Sequence, residues 1–541
     1  MNAARWNLSW LLILAILTAS ANPAGASGPS PFYDIRDYGA LPNDDVKDTD
    51  AIRKAIQAAV NAGGGTVYFS AGRYVSGSIH IQSHVTLYLD AGAVLAFSQD
   101  FDDYLPMVPS RWEGTECFNF SPPIYAYRAE NIAIVGRGLI DGQGKAWWDF
   151  HRKLRTQFQQ NKKIAEPSKW SKLFVEKNAA SYLKERWEPM GDFLRPPMIQ
   201  PFECRNVRIE GISLKDPPFW TINPVYCENV TVTGISIKNP DDSPNTDGIN
   251  PDSCRNVHIS DCHISVGDDC ITIKSGRDED GRRVGRPCEN ITVTNCTMLD
   301  GHGGVVIGSE MSGGVRRIAI SNCIFDGTER GIRIKTTRGR GGVIEDIRVS
   351  NVVMTRITRA PFDLNMFYAK MPDEPVSERT PVLQNLHFSD ITVTDSPAAG
   401  FILGLAEMPV GNVTFSNIAI DAEKGFSCSN AKAVAFRNVR ISTKKGPALL
   451  GENLHGLEIE GFQTLTPHED SAVIDLKNVA DAYVHGCRAR TGTGVFLGLR
   501  GEKCRDILVQ GNDLRGASSP VYVGEGCPTS AWTHDSDRRT P

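Results

Sequence analysis

The sequence predicts an all-β fold, a right-handed parallel β-helix, on three observations. A short strand-like unit recurs along the chain, its alternation has period two, and it is followed each time by a turn and a loop of variable length. The unit reads "CRNVRIEGISL" from Cys204, "CENVTVTGISI" from Cys227, "CRNVHISDCHI" from Cys254 and "CENITVTNCTM" from Cys288. It continues as "VRRIAISNCIF" from Val315, "IEDIRVSNVVM" from Ile344, "LQNLHFSDITV" from Leu383 and "VGNVTFSNIAI" from Val410, and fades into "CRDILVQGNDL" from Cys504. Its anchors Val207, Val230, Val257, Ile291, Ile318, Ile347, Leu386 and Val413 lie 23, 27, 34, 27, 29, 39 and 27 residues apart. Irregular periods of this size mark a solenoid in which each coil packs on its neighbours. Segments rich in Val, Ile and Thr with period-two alternation are strands, not helical repeats.

Equivalent positions in such a stack lie about 4.8 Å apart, so columns of like residues carry meaning. Asn206, Asn229, Asn256, Asn290, Asn385 and Asn412 precede the anchors and predict an amide ladder at a tight turn, since Asn tolerates left-handed backbone. Sequons such as Asn229 to Thr231 fall inside that ladder and read as structural. Cys204, Cys227, Cys254 and Cys288 form one column and Cys262, Cys296 and Cys323 another. The 13 cysteines, an odd number, therefore read as stacked buried thiols more than as a disulfide framework.

Two segments break the repeat. "DTDAIRKAIQAAVNAGGG" has Asp48 or Thr49 as a cap, Ile52, Ile56 and Val60 at helical spacing and a glycine stop, which suits a helix covering the open end of the solenoid. Residues 145–195 lack the strand period and predict a mainly helical insertion, a candidate wall of a binding site. At the N-terminus, Arg5, the apolar run Trp10 to Leu17 and small residues at Ala19–Ala21 and Ala24–Ala26 make residues 1–26 a secretory leader, too short to span a bilayer. The expected division is thus a leader over 1–26, one β-helix over 27–525 and a disordered tail over 526–541. The expected destination is outside the cytoplasm, secreted or periplasmic, with no membrane anchor; oligomeric state stays open. A formal charge of -5 gives no reason to expect nucleic acid, and nothing calls for a cofactor or metal.

The turns after four consecutive strands carry the chemistry. "TDGINPD" from Thr246, "DDCITIK" from Asp268, "HGGVVIG" from His302 and "ERGIRIK" from Glu329 align column by column. Apolar Ile249, Ile271, Val305 and Ile332 point in, and the polar columns point out onto one face. Asp247, Asp268 and Asp269 then sit on neighbouring coils beside His302, Arg333 and Lys335. Like charges so close resist joint ionisation, so one carboxyl is expected to hold a proton, as glycoside hydrolysis requires of its acid. Arg333 and Lys335 alternate outward from one strand and suit a substrate carboxylate; Lys274 gives the weakest signal. The bland alternative is acidic turns that bind Ca²⁺ or merely end strands. Against it stand the absence of the calcium-solenoid nonapeptide and the coincidence of all these groups on one face.

"NTD" at Asn245 to Asp247, "GDD" at Gly267 to Asp269, "GHG" at Gly301 to Gly303 and "RIK" at Arg333 to Lys335 resemble the four signature motifs of the polygalacturonases, the family 28 glycoside hydrolases. The motifs are complete and in family order, and the repeat context matches from about Phe32 to at least Val413. The resemblance implies inverting hydrolysis of α-1,4-linked galacturonic acid in pectin. It implies Asp268 as general acid, Asp247 with Asp269 as activators of water, and His302 as the residue tuning the acid. Arg333 and Lys335 are the implied substrate contacts; Lys274 and Asn245 are further candidates for substrate binding from their place on the same face. Inversion asks for carboxyl groups about 6.5 to 9.5 Å apart. The loop "GRDEDGRRVGRP", the 145–195 insertion and the string "GHGGVVIGSEMSGG" resemble exo-acting members, in which added loops close one end of the cleft. Hydrolysis of rhamnogalacturonan or xylogalacturonan, a calcium-dependent pectate lyase, and a non-catalytic carbohydrate-binding solenoid are the alternatives.

Overall fold

A computed structural model describes residues 32–161, 164, 166–181 and 194–534; the expected leader lies outside them. Twenty-nine strands form one continuous stack of parallel ladders, the architecture expected from the repeat. The anchors pair in register from coil to coil: Val207 with Val230, Val257, Ile291, Ile318, Ile347, Leu386 and Val413 in turn. All eight side chains are buried, so the inward column is the core. The stack continues past 451 through Leu457, Ala482 and Ile507.

The asparagine ladder forms as expected. Asn206 donates to Asn131 at 2.8 Å, Asn229 to Asn206 at 3.0 Å, Asn256 to Asn229 at 3.1 Å and Asn290 to Asn256 at 3.0 Å. Each of these rungs has φ of 55–58°, the left-handed conformation that asparagine adopts at lower cost than other residues with a β-carbon. Above Asn290 the guanidinium of Arg317 takes over the rung at 2.7 Å, and Asn412 to Asn385 resumes the ladder. No thiol is bridged; twelve of the thirteen are buried, and the backbone N–H groups of Cys227 and Cys254 each point at the sulfur of the next coil, 3.4 Å away.

The helix Thr49–Asn61 covers the N-terminal end, burying Ile52, Ala55 and Ile56, whereas Val60 is half-buried. Asp48 stands at the cap position but its carboxylate accepts from Leu41 and Val75 N–H groups instead of from the helix. The insertion is helical over Lys145–Asn161 and Lys169–Lys177. One expectation fails at the C-terminus. Within the tail expected over 526–541, Trp532–His534 is a strand paired with Ile507–Val509 and Ala531 is buried, while 535–541 lie outside the described residues. Those few residues close the last coil, so local polarity misled. No helix among the described residues is long and apolar enough to cross a membrane.

Candidate active site

The expected columns stack in the expected register. Ile249 bridges Ile271, Asp269 pairs with Gly303, and Val306 pairs with Arg333 and Gly308 with Lys335 on the next coil. This brings Asp247, Asp268 and Asp269 together, each with an oxygen within 4.8 Å of the others. Asp268 and Asp269 are consecutive on one coil, and Asp247 lies on the coil next to it.

The environments of the three differ. Asp247 is buried, its Oδ2 accepting from Asn250 at 2.9 Å and from Thr272 at 3.3 Å. Burial, and then the charge of Asp268, push its carboxyl up to about 8, so it holds a proton at neutral pH. Asp269 is as deeply buried, which alone would raise it; the Lys335 ammonium at 2.7 Å and the Arg333 guanidinium at 3.6 Å outweigh burial and keep it ionised. Its Oδ1 has no hydrogen-bond partner. Asp268 is the member turned to the cleft. Its Oδ1 accepts from the backbone of Asp269 and faces His302 Nδ1, both at 3.0 Å. The hydrogen bond to Asp268 raises the His302 imidazole above its ordinary value, opposed by burial. Gly301 has a physical reason to be glycine: φ is 79°, and a β-carbon there would lie 2.5 Å from the Asp268 carbonyl oxygen.

The resting proton thus sits on Asp247, which the sequence paired with Asp269 as a water activator. The sign of its pH effect follows: a folded-state value raised from 3.8 to about 8 contributes stability below the unfolded value that is lost as pH rises through about 8. Asp247→Asn, which needs no proton, should therefore gain on wild type between pH 5 and 9; melting temperatures across that range check this, and a constant difference would refute it.

Two further expectations change. Arg333 and Lys335 are not outward cations on an open strand face: both turn onto Asp269, under the Tyr368 ring at 5.7 and 5.4 Å. The polar columns do leave the core, but Asn250, Asp252, Thr272 and Lys274 are buried by segments outside the repeat. Lys274 pairs with Glu310 at 2.9 Å and lies 4.7 Å from the Trp220 ring centroid. Asn245, at φ of 56°, accepts at 2.7 Å from Arg195, the last residue of the insertion. Lys335, Lys274, Glu310 and Asn245 line, with the three carboxylates, a cavity of about 220 Å³ that also takes in Trp220, Arg277, Arg340 and Tyr368, whereas Arg333 and His302 lie outside its lining. Trp220, Arg277, Arg340 and Tyr368 come from loops of no fixed period, and of them only Arg277 lies in a string the sequence singles out, the loop "GRDEDGRRVGRP". The three carboxylates are also a donor set for a divalent cation, for which the Lys335 ammonium and the Asp247 proton compete at the same oxygens.

A parallel β-helix carrying three carboxylates on neighbouring coils, backed by two cations and opened by a small cavity, defines a carbohydrate-cleaving solenoid. The chain belongs to the glycosyl hydrolases family 28, whose model matches residues 191–443. A second model, described as rhamnogalacturonase A/epimerase, pectate lyase-like, matches residues 32–163. A probable polygalacturonase of Vitis vinifera is 31% identical over 395 residues, 71% of this chain and 73% of that one. An endo-polygalacturonase of Pectobacterium carotovorum is 28% identical over 71% of this chain and 87% of that one. The crystal structure of a hyperthermoactive exopolygalacturonase from Thermotoga maritima superposes with a TM-score of 0.68 at 32% identity, covering 77% of this chain and 93% of that one.

Proposed function

We propose that the protein is an inverting hydrolase of α-1,4-galacturonosidic bonds in polygalacturonate, acting from a chain end and releasing galacturonic acid. The observation that carries this is the division of labour among three adjacent carboxylates. Asp269 is held ionised by two cations and keeps one buried oxygen free of hydrogen bonds, the property of a base that takes a proton from water. Asp268, open to the cleft and hydrogen-bonded to His302, is the acid that protonates the leaving oxygen; His302 orients it and exchanges its proton. Asp247 supplies the proton stored next to Asp268 and helps seat the water. Lys335 lines the cavity, where it attracts the substrate carboxylate at the cleavage point, and Arg333 stands behind it on Asp269. Lys274 and Asn245 line the same cavity. The cavity's volume, about 220 Å³ against about 300–1,000 Å³ for pockets that take drug-sized ligands, suits one sugar unit and supports an exo mode. The Thermotoga exopolygalacturonase agrees with that mode.

The leader pattern of residues 1–26 supports export. Stereochemistry is the direct check on inversion. Proton NMR of the earliest product should show the β-anomer of galacturonic acid; α-anomer first would mean retention. Chromatography of digests should show monomer from polygalacturonate and far less from rhamnogalacturonan or xylogalacturonan, and an unsaturated, ultraviolet-absorbing product would indicate a lyase.

A further inference from the structure

Residues 108–119 belong to no coil. Val108–Trp112 and Thr115–Asn119 form an antiparallel hairpin turned by Glu113 and Gly114, with φ of 42° and 75°, the two left-handed residues of a tight two-residue loop. The hairpin lies on the polar column that continues from the site toward the N-terminal coils. Ser110 donates to Gln200 at 2.8 Å, Gln200 to Asn223 at 2.8 Å, and Asn223 to the Asn250 carbonyl at 2.7 Å. Gln200, Asn223 and Asn250 are all completely buried. A row of amides one strand step apart on the outer face of a solenoid would otherwise be an open polar groove. Here it is filled.

Arg111 fastens this cover. It reaches Asp252 at 2.7 Å and Ser253 at 2.8 Å, lies 4.9 Å from the Tyr226 ring centroid, and has no exposed side-chain surface. At the tip, Glu113 pairs with Arg277 at 3.0 Å, and the Arg277 N–H donates to the Gly114 carbonyl at 2.9 Å. From behind, Trp112 packs with Phe219, Phe174 and Leu194, and Asn178 brackets the N–H and carbonyl of Phe118. The helical insertion therefore braces the hairpin. Glu113 and Arg277 both line the reaction cavity.

We propose that this hairpin is the plug that ends the cleft on the N-terminal side, that Arg111 is its positioning residue, and that Glu113 with Arg277 receives the terminal galacturonate. A carboxylate beside a guanidinium offers an acceptor for a sugar hydroxyl and a donor for a sugar carboxylate, a pair that suits a chain end. The inference rests on the exo reading above and goes beyond it by naming what enforces it. Products released from polygalacturonate at the earliest times by wild type, Arg111→Met and Glu113→Ala test it, with kcat/KM on digalacturonate alongside. Wild type should give monomer only. Arg111→Met, its plug loosened, should release a ladder of oligomers and lower the viscosity of the polymer sooner. Its kcat/KM on digalacturonate should fall by about 10- to 100-fold, the scale of a misplacement near 1 Å. Glu113→Ala should raise KM for digalacturonate with kcat little changed. A folded Arg111→Met enzyme that still releases only monomer would overturn the plug. If that variant does not fold, Glu113→Ala decides, and an unchanged KM overturns the proposal. A ladder from wild type itself would instead overturn the exo reading.

Discussion

Asp268→Asn is expected to lower kcat on polygalacturonate by about 10²–10⁴-fold, the contribution of a positioned acid or base, with KM little changed. The amide keeps the size of the carboxyl and still accepts from the Asp269 N–H, so the coil retains its shape. It cannot give a proton to the leaving oxygen. His302, half-buried and 3.0 Å from Asp268, cannot substitute, because Asp268 lines the cavity and His302 does not. Single-turnover rates with a defined oligogalacturonate, beside a circular dichroism spectrum unchanged from wild type, measure the effect. A variant within tenfold of wild type would remove Asp268 from the chemistry, and full binding of polygalacturonate without turnover in the wild type would favour a carbohydrate-binding solenoid.

The second large effect is on stability. Asp252→Ala should cost about 3–5 kcal/mol, because it leaves the Arg111 guanidinium buried and uncompensated. Arg111 already has two nitrogens, Nε and one Nη, without hydrogen-bond partners, so Asp252 is its principal counter-charge. Burial raises the Asp252 carboxyl and Arg111 only partly offsets this, which makes loss of the arginine the milder of the two changes: the remaining acid can take up a proton. Urea unfolding followed through tryptophan emission reads the cost, since Trp112 and Trp220 are packed close by. The double variant Asp252→Leu with Arg111→Met should recover most of it, as apolar replacement of a buried ion pair does. A double variant as unstable as Asp252→Ala alone would show that packing, not charge, holds the hairpin.

What the sequence disclosed follows from which features are periodic. The Asn column and the Val/Ile anchors repeat at each coil, so register, core and the stacking of Asp247, Asp268, Asp269 and His302 could be read by alignment of the chain with itself. Trp220, Arg277, Glu310 and Tyr368 enter the same cavity from loops of no fixed period and left no such trace. The protonation pattern was out of reach for a related reason. Charge proximity announces that one carboxyl will hold a proton, but burial selects which, and the burial of Asp247 depends on cover brought from distant parts of the chain. The closing strand Trp532–His534 escaped notice because three residues are too few to show an alternation.

The stacked site has a consequence for how such an enzyme can be altered. Its carboxylates are spaced by the backbone hydrogen bonds between coils, about 4.8 Å per step, so the reactive geometry is ruled off like divisions on a scale and cannot drift without breaking the sheet. Loops are under no such rule: between the eight anchors from Val207 to Val413 the coils differ in length by up to 16 residues, 23 at the shortest and 39 at the longest, while the anchors stay in register. The chemistry is therefore the inflexible part of the molecule, and what the chain can vary freely is how much polymer is admitted to it.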